Sequence, residues 1–244
     1  MSIPAPDIPI PPRVRTLAPA ADLVPVWVNG YGGVTFRATD ADGIRFIKHD
    51  APNPEWSADD EADRLRWAAP YAPVPHVLET GRDATREWIV TTGMPGESAV
   101  SPRWLEDPAT AVRAIGEGLR ALHDSLPVEE CPFRWDVPER LANAAARGIR
   151  VPDALQDAPP IDRLVVCHGD ACAPNTLITD DGTWSGHVDL GSLGVADRWA
   201  DIAVSALSLE WNYGAGWEGA LLDAYGIDPD PVRMPYYRDL WNAT

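Results

Sequence analysis

Two aspartates and one asparagine stand at the ends of apolar segments between residues 165 and 190. Asp170 ends an apolar run, Asn175 comes five residues later, and Asp189 follows an intervening predicted hairpin. Carboxylate and amide oxygens are ligands that Mg²⁺ prefers, and a carboxylate that binds no metal can accept a proton. Singly, each residue would be interpreted as a cap or turn residue. Together, they predict a magnesium site with a general base.

Lys48 is a second candidate for chemistry. The chain has 20 basic residues, of which 19 are arginine and one is this lysine. Lysine is a compact point charge on a flexible stem, whereas arginine is a planar fork, and the two are not interchangeable at a phosphate. Two interpretations of the single lysine stay open at this point: it survives by chance, or it occupies a position where a guanidinium does not fit.

The first part of the chain predicts a small, mainly antiparallel sheet with one helix. Alternating apolar residues indicate strands near 24–29, 34–39 and 44–49, and two more follow at 74–80 and 86–92. Between the first two strands lies a glycine-rich turn. The predicted helix begins at Ser57, has acidic residues in its first turns, and runs to about Ala69.

Beyond this region the pattern becomes helical. Asp107-Pro108 is a strong helix start, and the apolar spacing predicts further helices near 138–147, 197–209, 216–225 and 231–241. A hinge is expected near residues 92–98. We predict three segments, which are an extended N-terminal arm (1–20), a mainly antiparallel lobe (21–95) and a mainly helical lobe (96–244).

Composition excludes several classes of function. The net charge is −17 and no basic run occurs, so a nucleic-acid partner is not expected. No apolar run is long enough for a membrane span, and no secretory signal is apparent. Three cysteines without framework spacing favour a reducing cytoplasm. An acidic surface would attract a small cationic ligand. Composition leaves the oligomeric state open.

The richest segment, residues 165–204, resembles a known family. HGDACAPN at 168–175 and DLGSLGVADR at 189–198 are similar to the HGDxxxxN and DxG signatures of the aminoglycoside phosphotransferases, and most of all to the 3′-phosphotransferases. These enzymes are related to protein kinases, which carry HRDxxxxN and DFG in the same order. The resemblance runs from about residue 24 to 241. It implies an α+β, two-lobed, protein-kinase-like fold with a small antiparallel, nucleotide-binding N-lobe (21–95) and a mainly helical, catalytic and substrate-binding C-lobe (96–244).

The resemblance also implies an activity, the transfer of the γ-phosphoryl group of ATP (or GTP) to a hydroxyl of an aminoglycoside antibiotic, which gives resistance. In such an enzyme Asp170 is the catalytic base, and Asn175 and Asp189 bind Mg²⁺. Lys48 contacts the nucleotide phosphates, and Glu61 pairs with its ammonium group.

Five further residues are implied in nucleotide binding. Gly30, Gly32 and Gly33 would let the first turn approach the phosphates through backbone N–H groups. The backbone near Thr92 and Met94 would hydrogen-bond the adenine.

The substrate end of the chain departs from the family pattern. Ser192 stands where relatives usually carry arginine, and Arg198, six residues later, could partly compensate. In the segment that binds substrate ammonium groups in relatives, Glu210 is the one carboxylate left. Trp211 beside it could stack on a sugar ring. Two alternatives therefore stay open, a kinase of the same fold for another antibiotic or an amine- or hydroxyl-bearing metabolite, and a nucleotide-binding protein with little catalysis. A zinc site is a third alternative, built from cysteine and histidine at positions 167, 168, 172 and 187.

Overall fold

A computed structural model of the protein describes Pro4 and residues 8–244. The chain forms two compact units. The first runs to Ala69 and includes Pro75–Gly93, and the second comprises Pro70–Val74 and Met94–Thr244. No helix in the described part of the chain is both long and apolar enough to cross a bilayer.

The first unit contains a five-stranded antiparallel sheet with strand order β1-β2-β3-β5-β4. Its strands are β1 Asp22–Val28, β2 Val34–Asp40, β3 Gly43–Asp50, β4 Val77–Arg82 and β5 Glu87–Thr92. Lys48 lies on the central strand, opposite Thr35 of β2 and Ile89 of β5. The sequence prediction of an antiparallel sheet in this region is confirmed.

The expected extended arm is wrong where it can be compared. Residues 12–17 form a helix, α1 (Pro12–Leu17), with proline in its first turn, where a missing N–H is harmless. Val14 and Ala18 are buried against Phe36 and Trp88 of the sheet. The proline-rich composition concealed an apolar contact, which holds this segment in place. Residues 1–3 and 5–7 of the predicted arm lie outside the described residues.

The helix of the first unit, α2 (Ala58–Ala68), begins as expected. The Ser57 hydroxyl accepts a hydrogen bond from the Asp60 N–H at 3.3 Å, and acidic residues occupy the first turn. Its buried face includes Glu61 and Leu65, so the same helix contributes to the core and carries one candidate site residue.

The second unit is mainly helical. Its helices are α3 Pro102–Glu106, α4 Pro108–Ser125, α5 Val137–Ala146, α6 Trp199–Tyr213, α7 Glu218–Tyr225 and α8 Arg233–Ala243. The Asp107 side chain caps α4 as predicted, and the core combines apolar faces of α4, α6, α7 and α8. Helix α6 is buried along most of its length and forms the centre of this unit.

Short strands and turns in the second unit carry the candidate residues. The strands are β6 Glu97–Ser98, β7 Leu164–Cys167, β8 Thr176–Ile178, β9 Trp184–His187 and β10 Gly194–Asp197. β7 pairs with β10, and β8 lies between β6 and β9. The predicted hairpin over β8 and β9 is present. Short 3₁₀ turns cover Val128–Glu130, Asp153–Leu155 and Ala173–Asn175.

Candidate active site

Asp170 lies in the loop that follows β7. Asn175, on the 3₁₀ turn, donates its Nδ2 hydrogens to the Asp170 backbone carbonyl at 2.9 Å and to Asp170 Oδ2 at 3.1 Å. The other carboxylate oxygen, Oδ1, is buried and has no hydrogen-bond partner within the described residues. One oxygen is therefore held in place while the other is available to accept a proton.

Asp189 follows β9 and is the second carboxylate of this loop cluster. Its backbone has φ 64°, a left-handed conformation that side-chain-bearing residues rarely adopt. Burial raises the pKa of Asp170, and the nearby negative charge of Asp189 raises this pKa further. Because Asn175 uses its amide nitrogen on Asp170, its amide oxygen is left as a ligand. Two mutually repelling carboxylates and one amide oxygen fit a divalent cation such as Mg²⁺.

Asp201 of α6 fixes the backbone of the catalytic loop. Its Oδ2 accepts the His168 N–H at 2.6 Å, and its Oδ1 accepts the Gly169 N–H at 3.0 Å. His123 of α4 contacts Oδ2 through Nε2 at 3.0 Å, and the other ring nitrogen contacts the Tyr225 hydroxyl at 2.8 Å. Burial by itself would raise the pKa of Asp201, but the hydrogen bond and charge of His123 and the further donors outweigh it and lower the pKa. The sequence interpretation missed Asp201; its only signal was a carboxylate inside an apolar helix.

Gly169 brings the two signature segments together. It has φ +85°, and a Cβ at this position would collide with the backbone of Ser192. The serine that replaces the usual arginine therefore packs directly on the catalytic loop.

The predicted substrate residues do not converge. Arg198, which precedes α6, donates to Asp162 Oδ2 at 2.6 Å. Glu210, in the last turn of α6, forms an ion pair with Arg238 at 3.2 Å. Glu210 lies twelve positions after Arg198 along α6, which corresponds to a rise of about 18 Å at 1.5 Å per residue. Trp211 is 57% exposed.

In the first unit, the structure brings Lys48 and Glu61 together. Lys48 Nζ donates to Glu61 Oε2 at 2.7 Å, and the Trp56 indole N–H donates to the same oxygen. The ammonium nitrogen also lies 5.5 Å from the Trp56 ring centroid. The pair is largely enclosed, with 18% of the lysine side chain and 5% of the glutamate side chain exposed.

The glycine-rich turn between β1 and β2 is closed by its own hydrogen bonds. The N–H groups of Tyr31 and Gly33 donate to Asn29 Oδ1, and the Gly32 N–H donates to the Asn29 carbonyl. Of the three predicted glycines, only Gly30 has an N–H without a hydrogen bond in the described part of the chain. A Cβ on Gly30 would meet no atom within 4 Å, so packing does not explain this glycine.

The predicted adenine contacts are also partly engaged. The Thr92 N–H donates to the His76 carbonyl at 2.9 Å, and the Gly93 N–H donates to the Ile44 carbonyl at 2.7 Å. Across residues 92–94 as described, only the Met94 N–H makes no hydrogen bond. The Met94 methyl group lies over Gly186 in the second unit.

The zinc alternative finds no support in the geometry. Both ring nitrogens of His168 are engaged by the backbone, through the Val188 carbonyl at 3.0 Å and the Asp170 N–H at 3.2 Å. Burial lowers the pKa of His187 to about 3, with a further contribution from His168. In the described chain, the proposed four-residue set does not form a metal-ligand cluster.

Comparisons with known proteins identify the family to which this chain belongs. A profile of the phosphotransferase enzyme family matches residues 27–236. The chain is 39% identical to an aminoglycoside 3′-phosphotransferase of Streptomyces fradiae over 218 residues, which cover 76% of this chain and 80% of the relative. It is also similar to the crystal structure of an aminoglycoside 3′-phosphotransferase of type VIII, with 28% identity, a TM-score of 0.79, and coverage of 95% of this chain and 97% of the other.

A third match is the structure of an aminoglycoside phosphotransferase from Streptomyces rimosus in complex with ADP and streptomycin. It is 27% identical with a TM-score of 0.69, and the match covers 93% of this chain and 94% of the other. The expected α+β, protein-kinase-like fold is confirmed. The chain therefore belongs to the aminoglycoside phosphotransferases of the phosphotransferase enzyme family.

Proposed function

We propose that this protein transfers the γ-phosphoryl group of ATP to a hydroxyl of an aminoglycoside antibiotic, in the manner of the 3′-phosphotransferases, and so gives resistance. The observation that carries the proposal is the Asp170 carboxylate, with one oxygen held by Asn175 and the other buried and unpaired. Names of relatives supply the substrate class.

The roles of the catalytic residues follow from their contacts. Asp170 orients the substrate hydroxyl and accepts its proton as the oxygen attacks phosphorus. Asn175 and Asp189 would hold Mg²⁺, which would supply positive charge to neutralise the phosphate oxygens. Asp201 keeps the loop backbone in the conformation that presents Asp170.

Nucleotide binding is assigned to residues 21–95, the predicted nucleotide-binding lobe. Lys48, oriented by Glu61, contacts the phosphates, and the glycine at position 30 lets them approach its free N–H. The Met94 N–H is the remaining donor for adenine. ATP is the proposed donor, with GTP as the alternative; the relative that binds ADP supports an adenine nucleotide.

The proposed acceptor is a cationic small molecule in the cytoplasm. The net charge of −17 favours its encounter with the protein. Glu210 and Trp211 remain the proposed contacts for an amino group and a sugar ring. Arg198 remains a proposed substrate contact, although its guanidinium is already bound to Asp162.

The test is an ATPase assay coupled to ADP release, with Mg²⁺ and a panel of aminoglycosides, followed by mass spectrometry of the product. We expect substrate-dependent ADP release and a product that carries one added phosphate. Asp170→Asn should reduce kcat by about a thousandfold, because the general base is lost. The matched control is Asp180→Asn, since Asp180 is a surface carboxylate bound to Arg103.

Full activity in Asp170→Asn would contradict the mechanism. Nucleotide binding without turnover of any aminoglycoside would instead favour a kinase of the same fold for another amine- or hydroxyl-bearing compound. Two observations favour this second candidate. Ser192, which packs against Gly169, replaces the usual arginine, and Glu210 is already ion-paired with Arg238.

A further inference from the structure

One buried carboxylate, Asp50, connects the glycine-rich turn to the Lys48–Glu61 pair. It ends β3, two residues after Lys48, and is 1% exposed. Its Oδ2 accepts hydrogen bonds from Asn29 Nδ2 at 2.6 Å and from Asn53 Nδ2 at 3.0 Å. A buried carboxylate needs such donors, and both of these donors belong to turns that flank the predicted phosphate contacts.

The Asn29 side chain transmits the position of Asp50 to the glycine-rich turn. Its Nδ2 is fixed on the carboxylate, while its Oδ1 accepts the N–H groups of Tyr31 at 3.0 Å and Gly33 at 2.8 Å. A Cβ on Gly33 would collide with the Asp50 carboxylate. The turn is therefore seated directly on this side chain, and its backbone conformation depends on it.

The Asn53 side chain links Asp50 to the residues that surround the Lys48 ammonium group. Its Oδ1 accepts the N–H groups of Glu55 and Trp56, each at 3.0 Å. The Trp56 indole donates to Glu61 Oε2, the oxygen that also accepts from Lys48. The chain of contacts thus runs from Asp50 through Asn53 and Trp56 to the lysine ammonium.

We propose that Asp50 is a positioning residue for the nucleotide, holding the glycine-rich turn and the Lys48 ammonium in a fixed relation so that both reach one triphosphate. The inference rests on the proposed function in taking ATP as the ligand. Asp50 itself does not touch the nucleotide. Its loss leaves both contact groups present but no longer fixed relative to each other, so the defect falls on nucleotide affinity.

The test measures Mg-ADP binding to the intact protein by calorimetry, and KM and kcat in the coupled assay. Asp50→Leu keeps the approximate size but removes the acceptor, and it should weaken ADP binding by about tenfold. Asp50→Asn keeps one acceptor oxygen and should lie between this variant and wild type. KM for ATP should rise in proportion, while kcat and the aminoglycoside KM stay within about twofold.

The matched control is Asp40→Leu. Asp40 is a carboxylate at the end of β2 in the same sheet, paired with Arg45 and outside the contacts of Asp50. It should leave ADP affinity within about twofold of wild type. Asn29→Ala and Asn53→Ala, each removing one branch, should weaken binding by about threefold, and the loss from Asn29→Ala should be smaller once Asp50 is leucine.

Wild-type ADP affinity in Asp50→Leu, or an equal loss in Asp40→Leu, would overturn the proposal. If Asp50→Leu does not fold, the two asparagine variants decide, and unchanged affinity in both overturns it. Failure of the proposed function gives a different result, because a wild-type protein that binds ADP but phosphorylates no aminoglycoside leaves the binding comparison intact. If the wild-type protein binds no ADP, both the proposed function and the positioning role of Asp50 are wrong.

Discussion

Asp170 and Asp201 are two carboxylates of the second unit whose pKa values shift in opposite directions. Burial and then Asp189 raise the pKa of Asp170, whereas the donors around Asp201 overcome its burial and lower its pKa. A raised carboxyl pKa means that the folded state disfavours the ionised form, so stability falls as pH rises above the ordinary carboxyl range. A lowered carboxyl pKa means that the folded state favours the ionised form, so this contribution to stability is lost as pH falls through the carboxyl range. Asp170, the proposed general base, thus destabilises the fold, while Asp201 on α6 stabilises it.

We predict that Asp170→Asn, which should greatly reduce turnover, raises the melting temperature by about 3 °C at neutral pH in metal-free buffer. The gain should disappear below about pH 4, where the native carboxyl group is already protonated. Asp201→Asn should lower the stability by about 3 kcal/mol at neutral pH, and less in acid. Thermal unfolding of both variants across pH measures these effects. A lower melting temperature for Asp170→Asn at neutral pH would contradict the assigned direction.

Sequence reasoning at this scale identified residues that carry a local motif. The spacing of Asp170 and Asn175 predicted that the two residues lie together, and the hydrogen bond that joins them spans only five residues of chain. Asp201 and Asp50 were missed because His168, a partner of Asp201, lies 33 residues away in sequence, and Asn29, a partner of Asp50, lies 21 residues away. A carboxylate that acts by holding a distant backbone or amide has no short-range signature.

Helix α1 shows how an element can be hidden by composition. Its prolines indicated an extended segment, yet proline at a helix start is favourable and Val14 has no exposed surface. The predicted helices α2 and α4 were found because their caps and apolar spacing are local. The short strand β10 was not, because only its pairing with β7 across 27 residues, as in Gly194 opposite Cys167, defines it.

We predict that Val14→Ala lowers the free energy of unfolding of the protein by about 2 kcal/mol, through lost burial and a residual cavity. Arg15→Ala, on the exposed side of the same helix, should change it by less than about 0.5 kcal/mol. Urea denaturation measures both. Equal, negligible effects would show that this segment is a loose arm in solution.

The whole molecule carries a strong negative charge, and this has a measurable consequence for a cationic acceptor. We predict that KM for an aminoglycoside rises several-fold between about 0.05 M and 0.5 M NaCl, while kcat changes little, because salt screens the long-range attraction. KM for ATP, an anion, should not rise in the same way. An aminoglycoside KM that is independent of salt would assign the acidity to solubility alone. Composition predicts the sign of this field, whereas the residues that focus it depend on the tertiary structure.

Lys48 also allows the protein to be labelled chemically at a single side chain. Because the chain has one lysine, reductive methylation with a carbon-13 reagent would place a dimethylamino probe at one side chain, apart from the terminal amine. That probe would sit against Glu61 and the Trp56 ring, whose ring current shifts its resonance. A single NMR signal would then report the local environment of the proposed phosphate contact, with no mutation and no competing resonances from other lysines.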